Sequence, residues 1–380
     1  MAMTTVDTNN KLVKYRRQLW REFVRENLFS PYMGTSLNSI IRTTEEMADG
    51  GDQLNIPIVT RLKGAGVGSS TLVGNEENID NYGMRLRIGW ARHAVVTKKS
   101  EQRKEAADIF GTAKPLLSDW GLQRQRDDII AALMSLPTET MSTDDDTTVN
   151  GILYENAPAA QKNTFNANNS DRLLFGNAVG NYNATHATAL GTIDTTNDRF
   201  VKGSVSLLKR RASQADPGIR PFSTSDGYQH YVAFAGSNTF RDLAASLETI
   251  NSAARPREGR GMDNNPLFQD GDLLYNGVII REVPEISSYV TNVWTSLTTA
   301  GDTSSRVEPV FLCGQQAVVL GWGQRPRDTY RKEDDYDFIK GVGVEMAYGV
   351  SKLFKKHPTS GTVLKQLGVV TGFFSAPLDA

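Results

Sequence analysis

The sequence predicts an α+β fold with a mainly antiparallel sheet, on three observations. One long helical pattern spans Lys98 to Leu136. Met84, Leu86, Ile88 and Trp90 alternate with Arg85, Arg87 and Gly89, the period-two pattern of a strand with one solvated face. Asn276-Gly277 separates Leu273-Leu274-Tyr275 from Val278-Ile279-Ile280, the strongest hairpin signal present. Helices and strands do not alternate regularly, as a doubly wound sheet would require.

Taken in order, the elements begin with a polar stretch, residues 1 to 10, read as disordered. A basic amphipathic helix follows from Lys11 to Leu28, with Leu12, Tyr15, Leu19, Trp20, Phe23 and Val24 on its apolar side. It reads as an arm packed on a neighbouring subunit in preference to a membrane-surface or nucleic-acid arm. Two strand-like segments, Gln53 to Lys63 and Met84 to Val96, enclose a connection of about twenty residues, too long for a tight turn, so it reads as a loop protruding from a two-stranded ribbon. Such a ribbon is barely stable alone and needs a partner surface.

Within the rod, Ala106, Ile109, Phe110, Ala113, Leu117 and Trp120 form one apolar stripe. Leu122, Ile129, Leu133 and Leu136 form a second on roughly the opposite side, with Pro115 and Gly121 between them. An interior proline either kinks the helix or divides it. If continuous, the rod is roughly 58 Å long, which implies an elongated subunit with one end free to pack on something else.

Residues 137 to 197, rich in Asn, Thr, Asp and Ala with weak periodicity, read as a long surface excursion. Phe200 to Ala215 reads as a helix capped by Asp198 and ended by Asp216-Pro217-Gly218. A strand over Tyr231 to Ala235 runs into a helix over Ser237 to Ala254. After the hairpin come a strand at Pro309 to Cys313, a short helix through Gln316 to Leu320, and final strands over Phe338 to Phe354 and Val363 to Phe374.

Composition narrows the function classes. The 380 residues allow one or two domains with extensions, and 42 basic against 43 acidic residues leave a net charge of -1, no bulk reason for polyanion binding. A single cysteine, Cys313, excludes an internal disulfide and a cysteine zinc site, and reads as a small buried apolar residue. The amino terminus lacks the basic and apolar regions of a signal peptide, and no apolar run reaches a membrane span of about 18 residues. A soluble protein of the cytoplasm is expected.

No motif carries chemistry. Gly64 to Ser70, GAGVGSS, lacks the Lys-Ser or Lys-Thr and the helix start of a phosphate loop, so its glycines read as bend points. Asp144, Asp145 and Asp146, and Glu333, Asp334, Asp335 and Asp337, lack calcium-loop spacing and read as solvated acidic loops able to attract a basic neighbour. Ser206 to Lys209 fits S-x-x-K without its companion motifs, and His93, His186, His230 and His357 fall in no metal or triad pattern. Lys209-Arg210-Arg211 and Arg255-Pro256-Arg257 read as solvated faces that could touch phosphate only by charge. Neither a catalytic residue, nor a metal ligand, nor a cofactor is expected.

The order of arm, ribbon, rod and α+β body, with final strands returning to the start, resembles the major capsid proteins of tailed phages with the Hong Kong 97-type fold, in particular head proteins of the coliphage N-four type. The resemblance is carried by FVRENLFSPYMG (Phe23 to Gly34), NSII (Asn38 to Ile41), GDQLNIPIVTRLKGAGV (Gly51 to Val67), LVGNEE (Leu72 to Glu77) and SEQR (Ser100 to Arg103). It continues in NPLF (Asn265 to Phe268), LYNGVIIRE (Leu274 to Glu282) and FLCGQQAVVLGWG (Phe311 to Gly323). Each motif is short; their common order over nearly the whole chain carries the weight.

The resemblance implies an arm (1 to 50), an extended loop lying over a neighbour (51 to 97), a peripheral domain with a spine helix (98 to 219, completed by 336 to 380) and an axial domain (220 to 335). Assembly contacts are then expected at Trp20 and Phe23 of the arm and at Lys63, Gly64, Gly66, Leu72, Glu76 and Glu77 of the loop. The implied partners are further copies in pentamers and hexamers of an icosahedral shell, a separate scaffolding protein, a portal, a possible decoration protein and packaged double-stranded DNA held without sequence reading. A virion capsid assembled in the host cytoplasm follows, with no membrane role. The stretches Pro137 to Asn197 and Ser287 to Arg306 are longer than usual for such proteins, and no motif identifies covalent cross-linking residues. The rivals are an enzyme-enclosing compartment shell of the same fold and, remotely, a cation-dependent enzyme built on an acidic cluster.

Overall fold

The computed structural model describes residues 27–45, 50–59, 62, 64–77, 79, 81–104, 109–224, 227–254, 272–331, 338–356 and 363–379. Outside them lie nearly all of the predicted arm helix with Trp20 and Phe23, Lys63, Ala106, the Arg255-Pro256-Arg257 run, the NPLF motif, the acidic run Glu333 to Asp337, and His357.

Two mixed sheets organise the chain. The first has five strands in the order β1 (Met33–Gly34), β2 (Ile41–Thr44), β12 (Val318–Tyr330), β13 (Ile339–Lys352) and β5 (Gly89–Lys98). The second runs β6 (Leu173–Phe175), β16 (Val369–Ser375), β11 (Val307–Cys313), β8 (Gln229–Ala235), β10 (Val278–Glu282) and β9 (Leu273–Tyr275), with β7 (Phe222–Ser223) attached to β8. Antiparallel pairs predominate, while β1–β2, β2–β12, β6–β16 and β8–β10 are parallel. Two small antiparallel ribbons complete the set: β3 (Gln53–Val59) with β4 (Asn81–Arg87), and β14 (Phe354–Lys356) with β15 (Leu364–Gln366).

The predicted rod is helical in both its described parts, α1 (Lys99–Lys104) and α2 (Ile109–Met134). At about 1.5 Å per residue the 26 residues of α2 span about 39 Å, and the helix runs through Pro115. Ala113 and Leu117, on either side of the proline, are buried against Val342 and Val344 of β13, so packing on the sheet holds the helix across the missing hydrogen bond.

The second stripe departs from expectation. Ile129, Leu133 and Leu136 are buried, but Leu122 is 43% exposed. The apolar surface does not simply change sides; it widens to cover Ile129, Ile130, Ala132 and Leu133 alike. The reason is that this end of α2 lies between two parts of the same subunit. Tyr348 of β13 donates to Asp128 Oδ2 at 2.6 Å, while Tyr289 of α7 (Pro284–Asn292) donates to the Asp127 carbonyl at 3.1 Å and Glu285 pairs with Arg126 at 3.1 Å. At this end the helix is held by the chain's own second half.

The stretch 137 to 197 is not a surface excursion. It holds α3 (Ala159–Asn168), β6 and α4 (His186–Gly191), and Tyr154, Leu173, Phe175, Leu190 and Ile193 enter the main core. Its polar composition is reconciled with burial by side-chain hydrogen bonds: Asn166, Asn169 and Arg172 are fully buried, and the Arg172 guanidinium donates to the carbonyls of Gln366, Leu367 and Pro217 at 2.6 to 2.9 Å.

Three local readings also change. Gln316 to Leu320 is not a helix: Gln316 turns at φ 52° and Val318 begins the long strand β12, whose β-branched start pairs with β13 and β2. α5 (Lys202–Gln214) is not capped by Asp198, whose carboxylate instead accepts from the backbone N–H groups of Asn177 and Asp194; Ser204 Oγ accepts from Val201 N–H at the helix start. The strand Met84 to Val96 divides at Ile88, so its alternation inverts: Arg87 is buried and Trp90 half-exposed. At the division, a Cβ on Gly89 would stand 2.2 Å from the Thr147 carbonyl, so only glycine fits.

Both faces of the second sheet are covered, which explains the unbroken burial of β11 and β16. One face packs on α7, with Phe29 against Phe234 and His186 against Phe373. The other packs on α5 and α6 (Ser237–Ala254) through Val205, Leu208, Leu243 and Leu247. The hydrogen-bonded sheets cross the divisions drawn from the sequence: β12 joins β13, and β11 joins β16.

Candidate assembly surfaces

The ribbon of β3 and β4 is anchored at its base and open at its tip. Leu54, Ile56 and Ile58 turn inward with Met84 and Leu86 onto Val319, Leu353 and Phe354, a small core that supplies part of the partner surface a ribbon requires. Beyond Val59 the described loop residues have no such cover. Leu72 is 67% exposed, Val73 80% and Ile79 64%. Three large apolar side chains this exposed on one short loop make it a candidate contact surface.

The loop's shape is set by its own carboxylates. Glu77 Oε2 accepts from Gly64 N–H at 2.6 Å and Glu76 Oε2 from Gly74 N–H at 2.7 Å, while Gly66 and Gly74 adopt positive φ values of 70° and 86°. Gly64, Gly66, Leu72, Glu76 and Glu77 therefore share one protruding tip. Trp20, Phe23 and Lys63, the other expected contacts, lie outside the described residues. No helix starts within the GAGVGSS stretch, so the feature that gives a phosphate loop its positive end is missing there.

Beside β3 lies an open cleft of about 760 Å³. Its floor is apolar, from Leu54, Ile56, Ile58, Val319, Leu353 and Leu367, and its walls carry Arg42, Arg220 and Lys355. None of the described lining side chains is acidic. No local sequence signal marks this cleft, because its three cations are separated by 135 residues or more.

At the ribbon base, Arg87 is the hub. Its guanidinium meets Asp145 at 2.6 Å and Asp52 at 3.3 Å, and donates to the carbonyls of Ser142 and Asp144. Asp145 of the acidic triplet thus ties the 142–148 loop to the ribbon, while Asp144 accepts from Asp146 N–H. Among the described residues no three His, Cys, Asp or Glu side chains converge as a metal site would demand, and no helix is long and apolar enough to cross a membrane.

The remaining candidates have structural partners. Ser206 and Lys209 sit on α5, where Ser206 donates to the Lys202 carbonyl and Lys209 to the Asn276 carbonyl of the hairpin. Cys313 is fully buried, and burial pushes its thiol far above the usual range. His186 donates from Nδ1 to Asn166 Oδ1 and accepts at Nε2 from Tyr154, both at 3.0 Å; burial, helped by Lys162, pushes it down to about 4, so the ring is neutral. His93 stacks beside Trp120, with ring centroids 5.0 Å apart.

The chain is similar to known proteins over nearly its whole length. The family model described as "Phage capsid protein" matches residues 3–371. A curated relative, the major capsid protein of Pseudomonas phage KPP25, is 25% identical over 358 residues, covering 91% of this chain and 90% of its own. The capsid of cyanophage Pam1 superposes with a TM-score of 0.84 at 36% identity over the whole of both chains. The capsid of Ralstonia phage GP4 does so at 0.73 with 21% identity, again over both whole chains, a likeness of fold. The chain belongs to the phage capsid protein family, has the Hong Kong 97-type fold, and is a major capsid protein that assembles with itself into the shell of the virion.

Proposed function

We propose that copies of this chain close as pentamers and hexamers into an icosahedral shell around packaged double-stranded DNA, with no catalytic step. The observation that carries the reading is the ribbon tip, whose apolar side chains the subunit itself leaves uncovered. In this arrangement the ribbon lies over a neighbouring subunit, the five-stranded sheet with α2 forms the peripheral part, and the seven-stranded sheet meets its copies around the axes. Assembly takes place in the host cytoplasm on a separate scaffolding protein, with a portal at one vertex and a surface able to take a decoration protein. The near-neutral net charge favours a weak DNA contact indifferent to sequence.

A compartment shell of the same fold is the second reading; the matches to phage capsids weigh against it. Electron microscopy and sedimentation of the expressed chain, alone and with its scaffold, test the proposal. Capsomers or closed shells at micromolar concentration are the expected result. A compact monomer that persists across salt, crowding and added scaffold would overturn it.

A further inference from the structure

We propose that the cleft beside β3 is the seat for the ribbon tip of a second copy, residues 72–77 with Ile79, with Glu76 and Glu77 set against Arg42 and Arg220. The inference rests on the shell-forming reading above and adds the receptor to it. The two surfaces are complementary in both respects that matter. The tip offers exposed Leu72, Val73 and Ile79 and two carboxylates, and the cleft offers an apolar floor with three cations and no acid among its described lining side chains.

Backbone geometry points the same way. Ile88 N–H donates to the Asp52 carbonyl at 3.2 Å, which makes Leu54–Leu86, Ile56–Met84 and Ile58–Tyr82 the hydrogen-bonded pairs of the ribbon. Asn55, Pro57 and Val59 therefore direct their backbone polar groups to the open edge of β3. Pro57, which has no N–H, loses nothing there, and the Asn55 N–H and neighbouring carbonyls are available to an extended chain. The tip and the cleft are different patches of one chain, so the contact is head-to-tail; repeated around an axis it closes a ring.

Engineered thiols test the contact in the full chain. Cys313 is the only cysteine and is buried, so Asn75→Cys in the tip and Gly218→Cys at the cleft would be the reactive pair. A Cβ at Gly218 meets only ordinary contacts, at 3.5 Å and beyond. Under a mild oxidant, assemblies of the double variant should give a ladder of covalently linked chains. Co-assembly of the two single variants should give linked dimers and nothing larger. Separately, Glu76→Lys with Glu77→Lys should slow assembly at least tenfold, and Arg42→Glu with Arg220→Glu in the same chain should restore it.

Particles that form without a disulfide between copies, or with a disulfide only inside one chain, overturn the docking and leave the shell reading standing. A chain that neither assembles nor cross-links overturns both. Charge reversal that leaves assembly unchanged removes the proposed pairing of Glu76 and Glu77 with the two arginines.

Discussion

Lys352 Nζ lies 3.0 Å from Gln366 Oε1, with both side chains inside the core and the Phe165 ring 5.0 Å from the nitrogen. Burial pushes the lysine down from its ordinary value of 10.5 to about 7. The free subunit should therefore gain stability as pH rises from about 7 towards 10.5, where the unfolded lysine still holds its proton and the folded one does not. The gain is at most about 5 kcal/mol. Denaturant unfolding at pH 7, 8 and 9 should show the slope in the native chain and its absence in Lys352→Met; equal slopes would show that the amine stays charged in the fold.

His186 gives a second, acid-side limb. Its folded value of about 4 is below the ordinary 6.5, so the unfolded chain takes up the proton first and stability falls as pH drops from 6.5 to 4. His186→Gln, which can still hydrogen-bond to Asn166 or Tyr154, should flatten that limb. An unchanged acid profile would place the acid sensitivity elsewhere.

Glu308 is fully buried on β11, accepting from Arg306 at 3.0 Å, Asn238 at 2.7 Å and Ser287 at 3.0 Å. Glu308→Ala strands the guanidinium and should cost about 3 to 5 kcal/mol of subunit stability. A loss below about 1 kcal/mol in urea unfolding would mean that water reaches Arg306.

Gly89→Ala should disturb the ribbon more than the body, because the added Cβ meets the Thr147 carbonyl where β4 hands over to β5. We expect a folded subunit with near-native circular dichroism and assembly slowed at least tenfold. Native assembly rates would show that the 142–148 loop yields without re-aiming the ribbon.

The tip itself is a proteolysis reporter. Leu72, Val73 and Ile79 are exposed in the single subunit and covered in the proposed shell, so cleavage between residues 64 and 79 should be rapid in free subunits and suppressed in particles. Equal protection in both states would assign the tip to the subunit's own fold.

Elements whose signals are local follow from the sequence. Asn276 and Gly277 take φ values of 50° and 73°, as the turn type their residue pair demands, and the helix Ser237–Ala254 has the limits its 3.6-residue period set out. The protruding loop between two strands was equally legible, because its length and glycines exclude a tight turn. Tertiary structure alone decided what depends on distant partners. Arg87 belonged by alternation to a solvated face, yet it is buried because Asp145, 58 residues away, meets its charge. Residues 137 to 197 looked polar enough for the surface, and they enter the core because Arg172 and Asn166 find carbonyl partners as far off as Gln366. The cleft of Arg42, Arg220 and Lys355 exists only once three separate segments fold beside β3. Periodicity reports which face a segment offers to its nearest cover; whether a charge or an amide can be buried there is set by hydrogen-bond partners that only the folded chain supplies.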